Sequence, residues 1–390
     1  MSDLPEALKT FGMVTEDPHE AWQEGRERCP VRMPGPDGKP MVHIFTRQHA
    51  EQVLRDESFS ASCNQASMGP FMGEILLGKD GREHTVYRKL VSHAFRASAL
   101  QRWEDGLIRP TIQELLDKIT PNGKADLVSE VTAPYPARII CGIIGVPLED
   151  HVRFHQWSMA ITAGPLAPEE GFRASREMQS YLEPIVEDRR REARDDLISD
   201  IVHAEVDGEK LDDEHIYGFL RLLMPAGAET TYREMGILIL ALLQNPASLE
   251  RLRQDHSRIP DAIEETLRWD SSAPMVVRVA EKDVRVGDQL IPRGTRVSLA
   301  LGSTNRDSAA FEDGDSWTEE RQPDLPHFAF GWGRHLCLGM HLARLELRVG
   351  LEAILERLPG LRLDPSQPVP AIVGTAFRGP ATLPVLFDAA

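Results

Sequence analysis

Phe330-Gly-Trp-Gly-Arg-His-Leu-Cys-Leu-Gly339 sets a cysteine at the mouth of a helix, behind a glycine-rich loop. Glycine lets backbone pass close to a flat, bulky ligand and take a positive φ that other residues avoid. At the helix entrance, free amide donors and the positive dipole end are expected to favour thiolate over thiol at Cys337. Arg334 and His335 add cationic character suited to carboxylates, and Phe330 can shield the sulfur from water. A lone cysteine is most often a small buried hydrophobe. Packing alone, however, does not require Gly331, Gly333 and Gly339, a cation pair and an aromatic at these offsets. A soft anionic sulfur in a partly apolar cradle suits a haem iron.

Working outward, Leu338, Leu342, Leu345 and Val349 recur at helical steps until Pro359-Gly360 stops them. Upstream the period falls to two: Val284 and Val286, then Val297, Leu299 and Leu301, alternate around turns and predict short hairpins. A helix over Asp261 to Trp269 is entered through Pro260. Asp212 or Asp213 opens a helix running to Gln244, long enough to cross a whole domain. Pro225 lies within it and predicts a kink. The first third offers a strand-like piece, Met41 to Phe45, and a helix capped by Thr46. Ser60 to Arg82 reads as a long apolar loop, the kind that often belongs to a binding site. The expected fold is mainly α with a small β portion, as a single domain over residues 1–390.

The chain has 390 residues and a net charge of −17, which disfavours a nucleic-acid partner. The start, MSDLPEALKTFG, lacks the basic and apolar regions of a secretory signal. The most apolar stretch, Leu220 to Leu243, carries Arg221, Glu229, Arg233 and Glu234, so it predicts a buried helix and no membrane span. A cytoplasmic protein is expected. Cys29, Cys63, Cys141 and Cys337 form no CxxC pair, which argues against a zinc knuckle or dithiol site. Arg82, Arg88, Lys89, Arg96 and Arg102 form a basic run that stands out against the acidic whole.

The decisive loop resembles that of the cytochrome P450 family, F-x-x-G-x-x-x-C-x-G, which Phe330, Gly333, Cys337 and Gly339 match. The resemblance implies Cys337 as axial ligand of haem b (iron protoporphyrin IX), donating electron density that favours cleavage of the O–O bond. The haem is expected between the long central helix and the helix after the cysteine. Ala226-Gly-Ala-Glu-Thr-Thr231 resembles the family's distal motif. That implies proton management at Glu229 and Thr230, with room for oxygen at Ala226 and Gly227. The bland alternative is that Thr230 back-bonds to a carbonyl a turn earlier. Glu265 and Arg268 match the family's E-x-x-R, and Arg321 resembles the third member of that structural knot. His84 and Arg88 resemble the helix that reaches the haem propionates, joined by Arg278 and His335. The resemblance extends from Ser60 to Phe377.

The implied activity is monooxygenation: one atom of O2 enters a C–H bond of a small hydrophobic substrate. No flavin or iron–sulfur extension is read in the chain. Electrons from NAD(P)H are therefore expected through a separate ferredoxin reductase and ferredoxin. The basic run, with Arg344 and Arg348, offers such a partner a docking face. Met72, Ala273, Met275, Val276 and Val373 are the candidate substrate contacts, each as readily plain core. A monomer is expected. A peroxide-driven peroxygenase, which typically replaces the acid–alcohol pair, and a non-catalytic haem-thiolate sensor or carrier are the competing readings.

Overall fold

Asp212 starts the central helix by accepting the His215 amide at 3.0 Å, and the rod runs over Asp213–Met224. Pro225 cannot donate to the carbonyl a turn earlier. Residues Pro225–Glu229 widen into a π turn, and α geometry resumes over Thr230–Gln244. The expected kink takes this form. Residues 234–242 are buried all round, which marks a helix enclosed by other elements. Helices Pro134–Ile144 and Met340–Arg357 pack against it, as does the turn of strand Gly379–Pro380. The computed structural model describes residues 17–35, 38–92, 95–322, 325–374 and 376–389. The segment Met1–Gly12, read above for a signal, lies outside them.

The main apolar core lies among these helices and includes Ile139, Ile140, Leu220, Leu238, Leu347 and Leu351. A five-stranded sheet sits beside it. Its strand order is Val31–Pro34, Pro40–Ile44, Arg296–Ala300, Met275–Ala280 and Phe59–Ser60. Pro40–Ile44 and Arg296–Ala300 run parallel with Met41 opposite Arg296, and the other pairs are antiparallel. Val42, Ile44, Val297 and Leu299 turn one face of this sheet onto Val53, Leu54 and Phe59, forming a second core. Val297 and Leu299 thus lie in a strand as expected, but it pairs within the five-stranded sheet and forms no short hairpin, and Leu301 opens a helical turn. The hairpin Val284–Val286 with Gln289–Ile291 forms about Gly287-Asp288.

One segment departs from the sequence reading. Ser62–Met72 is a helix, with Pro70 inside it, and Leu76–Gly78 forms a 3-10 turn. Glycine and proline predicted a loop, but Phe71, Met72, Ile75 and Leu76 all bury, and tertiary burial overrides weak local propensity. Gln65 closes the bend by donating to the Gly73 carbonyl at 2.9 Å and accepting the Ile75 amide at 3.1 Å. Arg221 of the central helix donates to the Met72 carbonyl at 3.0 Å, a cation placed at a helix C-terminus. All four cysteines are free. No helix among the described residues is long and apolar enough to cross a membrane.

Asp270, buried where helix Ile259–Trp269 ends, accepts from Arg378 at 2.8 and 2.9 Å and lies 3.2 Å from His19. Burial alone would raise its carboxyl, but the bonds to Arg378 and His19 hold it well below the usual 3.8. Burial also lowers His19, so at neutral pH the ring is uncharged and Arg378 carries the ion pair. A depressed carboxylate stabilises the fold above its unfolded pKa, and that contribution disappears as pH falls through the folded one. Thermal unfolding across acid pH should show stability falling below about pH 4. Asp270→Asn should be less stable at neutral pH and show a shallower acid slope; an unchanged slope would remove Asp270 from the account.

Candidate active site

The loop Phe330 to Gly339 is fixed by its own backbone. Gly331 N–H donates to Phe328 O at 2.8 Å, and Cys337 N–H donates to Phe330 O at 2.9 Å. Gly333 has φ +73°, and a Cβ there would lie 2.7 Å from the Leu54 carbonyl, so both torsion and space demand glycine. Gly339 is different: a Cβ there would meet nothing within 4 Å. It borders open space beside the sulfur. Cys337 is accessible to solvent-sized space although it lies deep among protein atoms.

Cys337 precedes helix Met340–Arg357, and its sulfur faces the Gly339 and Met340 amides and the charges of Arg88 and Arg344. These favour thiolate, as the sequence suggested, yet burial outweighs them and raises the thiol. Arg344 also lies over the Phe330 ring at 4.6 Å.

In the widened turn Ala226 is exposed although Pro225, Ala228 and Glu229 around it are buried. Thr230 is half-buried and donates to the Ala226 carbonyl at 2.7 Å, the back-bond of the bland reading. Gly227 serves packing: a Cβ there would lie 2.5 Å from Ile140. It faces a neighbouring helix, which differs from the oxygen-side role read from sequence. Glu229 is fully buried, 3.0 Å from His155 Nδ1 and 3.4 Å from Arg233. His155 on helix His151–Thr162 was not singled out from sequence, because nothing local marks it as the partner of an acid 74 positions away.

At one edge of the space, helix Gly81–Ser92 supplies His84 and Arg88, strand Met275–Ala280 supplies Arg278, and the loop supplies His335. The rings of His84 and His335 lie 4.4 Å apart. Burial lowers Arg88 and Arg278, and burial with nearby His335 and Arg88 brings His84 down to about 4. Arg278 donates only to its neighbour's carbonyl, Val277 O, at 2.8 Å, and buried His84 Nε2 has no partner. Among the described residues no carboxylate forms an ion pair with Arg88 or Arg278. Desolvated donors without acceptors are costly, so this edge fits an incoming carboxylate pair. Asp80, which sequence reading missed, accepts from His335 at 3.2 Å and from Ser60 at 2.6 Å. Burial would raise Asp80, but His335, Ser60 and the Ala61 amide hold it down to about 2.

Around the space, Ala273, Met275, Val276 and Val373 keep partial exposure, whereas Met72 is wholly buried. The position read as a pocket contact at Met72 is core. Beneath the loop, Glu265 accepts from Arg268 at 2.7 and 2.8 Å and from Arg321 at 2.9 Å. Arg268 reaches on to the Asn305 carbonyl at 2.8 Å, and the Asn305 side chain accepts the Phe328 amide at 2.7 Å. The knot thereby touches the loop's first turn. An exposed sulfur and the cations gathered at His84, Arg88, Arg278 and His335 suit a group that offers a soft metal and carboxylates.

Residues 156–375 match the family profile described as Cytochrome P450. The chain is 34% identical over 384 residues to cytochrome P450 107B1 of Saccharopolyspora erythraea, covering 93% of each. Among solved structures, cytochrome P450 PksS of the Bacillus subtilis bacillaene polyketide synthase superposes with TM-score 0.89 at 32% identity, covering 97% of this chain and 98% of that one. The enzyme CYP109E1 of Bacillus megaterium, in complex with corticosterone, gives TM-score 0.85 at 30% identity, covering 95% and 98%.

Removing one partner of a buried ionic knot leaves the others uncompensated. Glu265→Ala should therefore lose about 3–5 kcal/mol in guanidinium denaturation. A loss within the range of an exposed pair, below ~1 kcal/mol, would show that the knot is incidental.

Proposed function

The chain belongs to the cytochrome P450 family of monooxygenases, and on that premise we propose that it hydroxylates a small hydrophobic substrate at a C–H bond. The oxygen atom comes from O2, and electrons come from NAD(P)H through a ferredoxin reductase and a ferredoxin. One observation carries this reading most: the Cys337 side chain stays open to solvent at the mouth of its helix, behind the glycine loop, with Arg88 and Arg344 as the charges beside it. The family holds haem by a cysteine thiolate, and haem when bound supplies dioxygen activation and oxygen transfer.

The residues present fit that group. Cys337 is the metal ligand, and His84, Arg88, Arg278 and His335 take the propionates, where bidentate arginine geometry suits carboxylates. The partnerless His84 nitrogen and the nearly unbonded Arg278 support this assignment. Phe330, Gly331 and Gly339 shape the cradle. Glu265, Arg268 and Arg321 keep it rigid.

On the distal side, the Thr230 hydroxyl donates its hydrogen bond to the Ala226 carbonyl, so its oxygen is free to accept a proton-bearing group from the oxygen-binding space, and exposed Ala226 leaves that space clear. Glu229 links inward from half-exposed His155, so a proton can pass from solvent toward Thr230 once the acid turns from His155 and Arg233. Ala273, Met275, Val276 and Val373 offer apolar surface to the substrate. A steroid-bound relative shows that this fold admits bulky apolar ligands. The retained acid–alcohol pair favours O2 over peroxide as oxidant.

The docking face is narrower than the sequence suggested. Arg344 is held by Glu264 at 2.6 and 2.7 Å, and Arg348 by Glu104 and Glu352 at 2.9 and 3.0 Å. Arg102 pairs with Asp195 at 2.5 Å, and Arg82 pairs with Glu209. Lys89 and Arg96 remain exposed, with no carboxylate paired to them among the described residues. They are the cations we assign to an acidic ferredoxin.

Three measurements test these roles. Reduced wild-type protein under carbon monoxide should give the strongly red-shifted thiolate band, and Cys337→Ser should lose it; a serine variant with unaltered spectrum ends the reading. Thr230→Ala should lower product formed per NAD(P)H consumed by ~10²-fold, the usual size for a lost proton-transfer group. Fully coupled turnover would remove Thr230 from the relay. Arg96→Glu should slow reduction by ferredoxin and flatten its salt dependence, and an unchanged rate at low salt would discard that contact.

A further inference from the structure

Glu234 is a buried carboxylic acid on the central helix, and no cation forms an ion pair with it among the described residues. It lies four residues past Thr230, on the same helical face. Its Oε2 accepts the Ser272 amide at 2.8 Å, while Oε1 is buried without a partner. Burial raises its carboxyl to about 8, so at neutral pH it is mainly the uncharged acid. An acid in such surroundings is expensive compared with leucine or methionine, unless the bond it makes matters.

The bond it makes is at a junction. Ser272 immediately precedes Ala273, Met275 and Val276, the proposed substrate wall, and the strand Met275–Ala280 that follows carries Arg278 at the propionate edge. The carbonyl of the same residue accepts the Arg378 amide at 2.8 Å. Arg378 in turn donates to Gly374 O at 2.9 Å, fixing the turn after Val373. The helix and the C-terminal turn meet without slack here: a Cβ on Gly236 would lie 2.9 Å from Pro380, and one on Gly379 would lie 2.9 Å from Arg233. Ser272 is thus gripped through its N–H by the helix that carries Thr230 and through its C=O by the opposite wall.

We propose that Glu234 is a positioning residue that sets the distance between the oxygen side of the pocket and its two substrate walls, and so governs which bulky ligands fit. This rests on the monooxygenase reading for the identity of the pocket, but the clamp itself does not.

Glu234→Met keeps the bulk and leaves the Ser272 amide without an acceptor; Glu234→Gln keeps an acceptor oxygen. Both are prepared as haem-loaded protein. Hydrogen–deuterium exchange over residues 271–276 should speed up about tenfold in the Met variant and stay near wild type in the Gln variant. Clotrimazole, a bulky iron-ligating azole, should bind about tenfold more weakly to the Met variant. Imidazole, which reaches the iron without touching the walls, should bind equally to all three proteins. Unchanged exchange in the Met variant overturns the clamp. Faster exchange with unchanged clotrimazole affinity overturns its role in ligand fit. Equal weakening for imidazole, or a Gln variant as weak as Met, also counts against it. A wild-type chain lacking the carbonyl band would sink the function reading instead, while the exchange result would still judge the clamp.

Discussion

Protein interiors close on themselves because every unfilled volume forfeits dispersion contacts. At its proposed site this chain leaves positions uncovered: Ala226 and Cys337 are exposed, and Thr230 and Gly339 are half-buried. Several contacts hold the segments that carry them in place. The cysteine loop is stiffened by its own backbone bonds and by glycine at 333. The Glu265 knot fastens the loop's first turn to a helix, and the Asp270–Arg378 pair ties the strand opening to the C-terminal turn. The central helix spans the domain and is packed along nearly its whole length.

Arg88, Arg278 and His84 are desolvated with no carboxylate paired to them among the described residues, which would be costly in an ordinary core. Burial raises the Cys337 thiol while its side chain stays open to solvent. Cations gathered in this way suit a bound group that carries carboxylates. Asp80 keeps His335 oriented meanwhile, from a position that composition alone does not single out.

How much of this could be seen in the sequence follows from what is local. The cysteine segment, the E-x-x-R pair and the acid–alcohol pair are short motifs whose spacing carries their meaning, and the structure joins Glu265 to Arg268 directly and sets Glu229 and Thr230 where the widened turn gives way to regular helix. Helices with strong periodicity, such as Ile259–Trp269 and Met340–Arg357, were legible to within a few residues. Ser62–Met72 was not, because its glycines and proline obey tertiary burial over local preference. Met72 was misplaced for the same reason. Gly227 looked like room for oxygen because its motif sits beside the iron, whereas its missing side chain is spent on Ile140. His155, Asp80 and Ser272 act through partners distant in sequence, and no pattern along one chain reveals such pairs. Arg344 and Arg348 are basic in sequence, but Glu264, Glu104 and Glu352 neutralise them in space.

Pro225 gives the central helix a property that outlasts any bound ligand. Because the missing donor is a matter of covalent structure, the widened turn cannot anneal back into a regular ladder when the pocket empties. Within that turn the Ala226 carbonyl accepts the Thr230 hydroxyl, so the alcohol is held in a defined orientation. A helix that had to open this turn afresh would spend part of each ligand's affinity on doing so. Here the distortion was settled when the chain was synthesised.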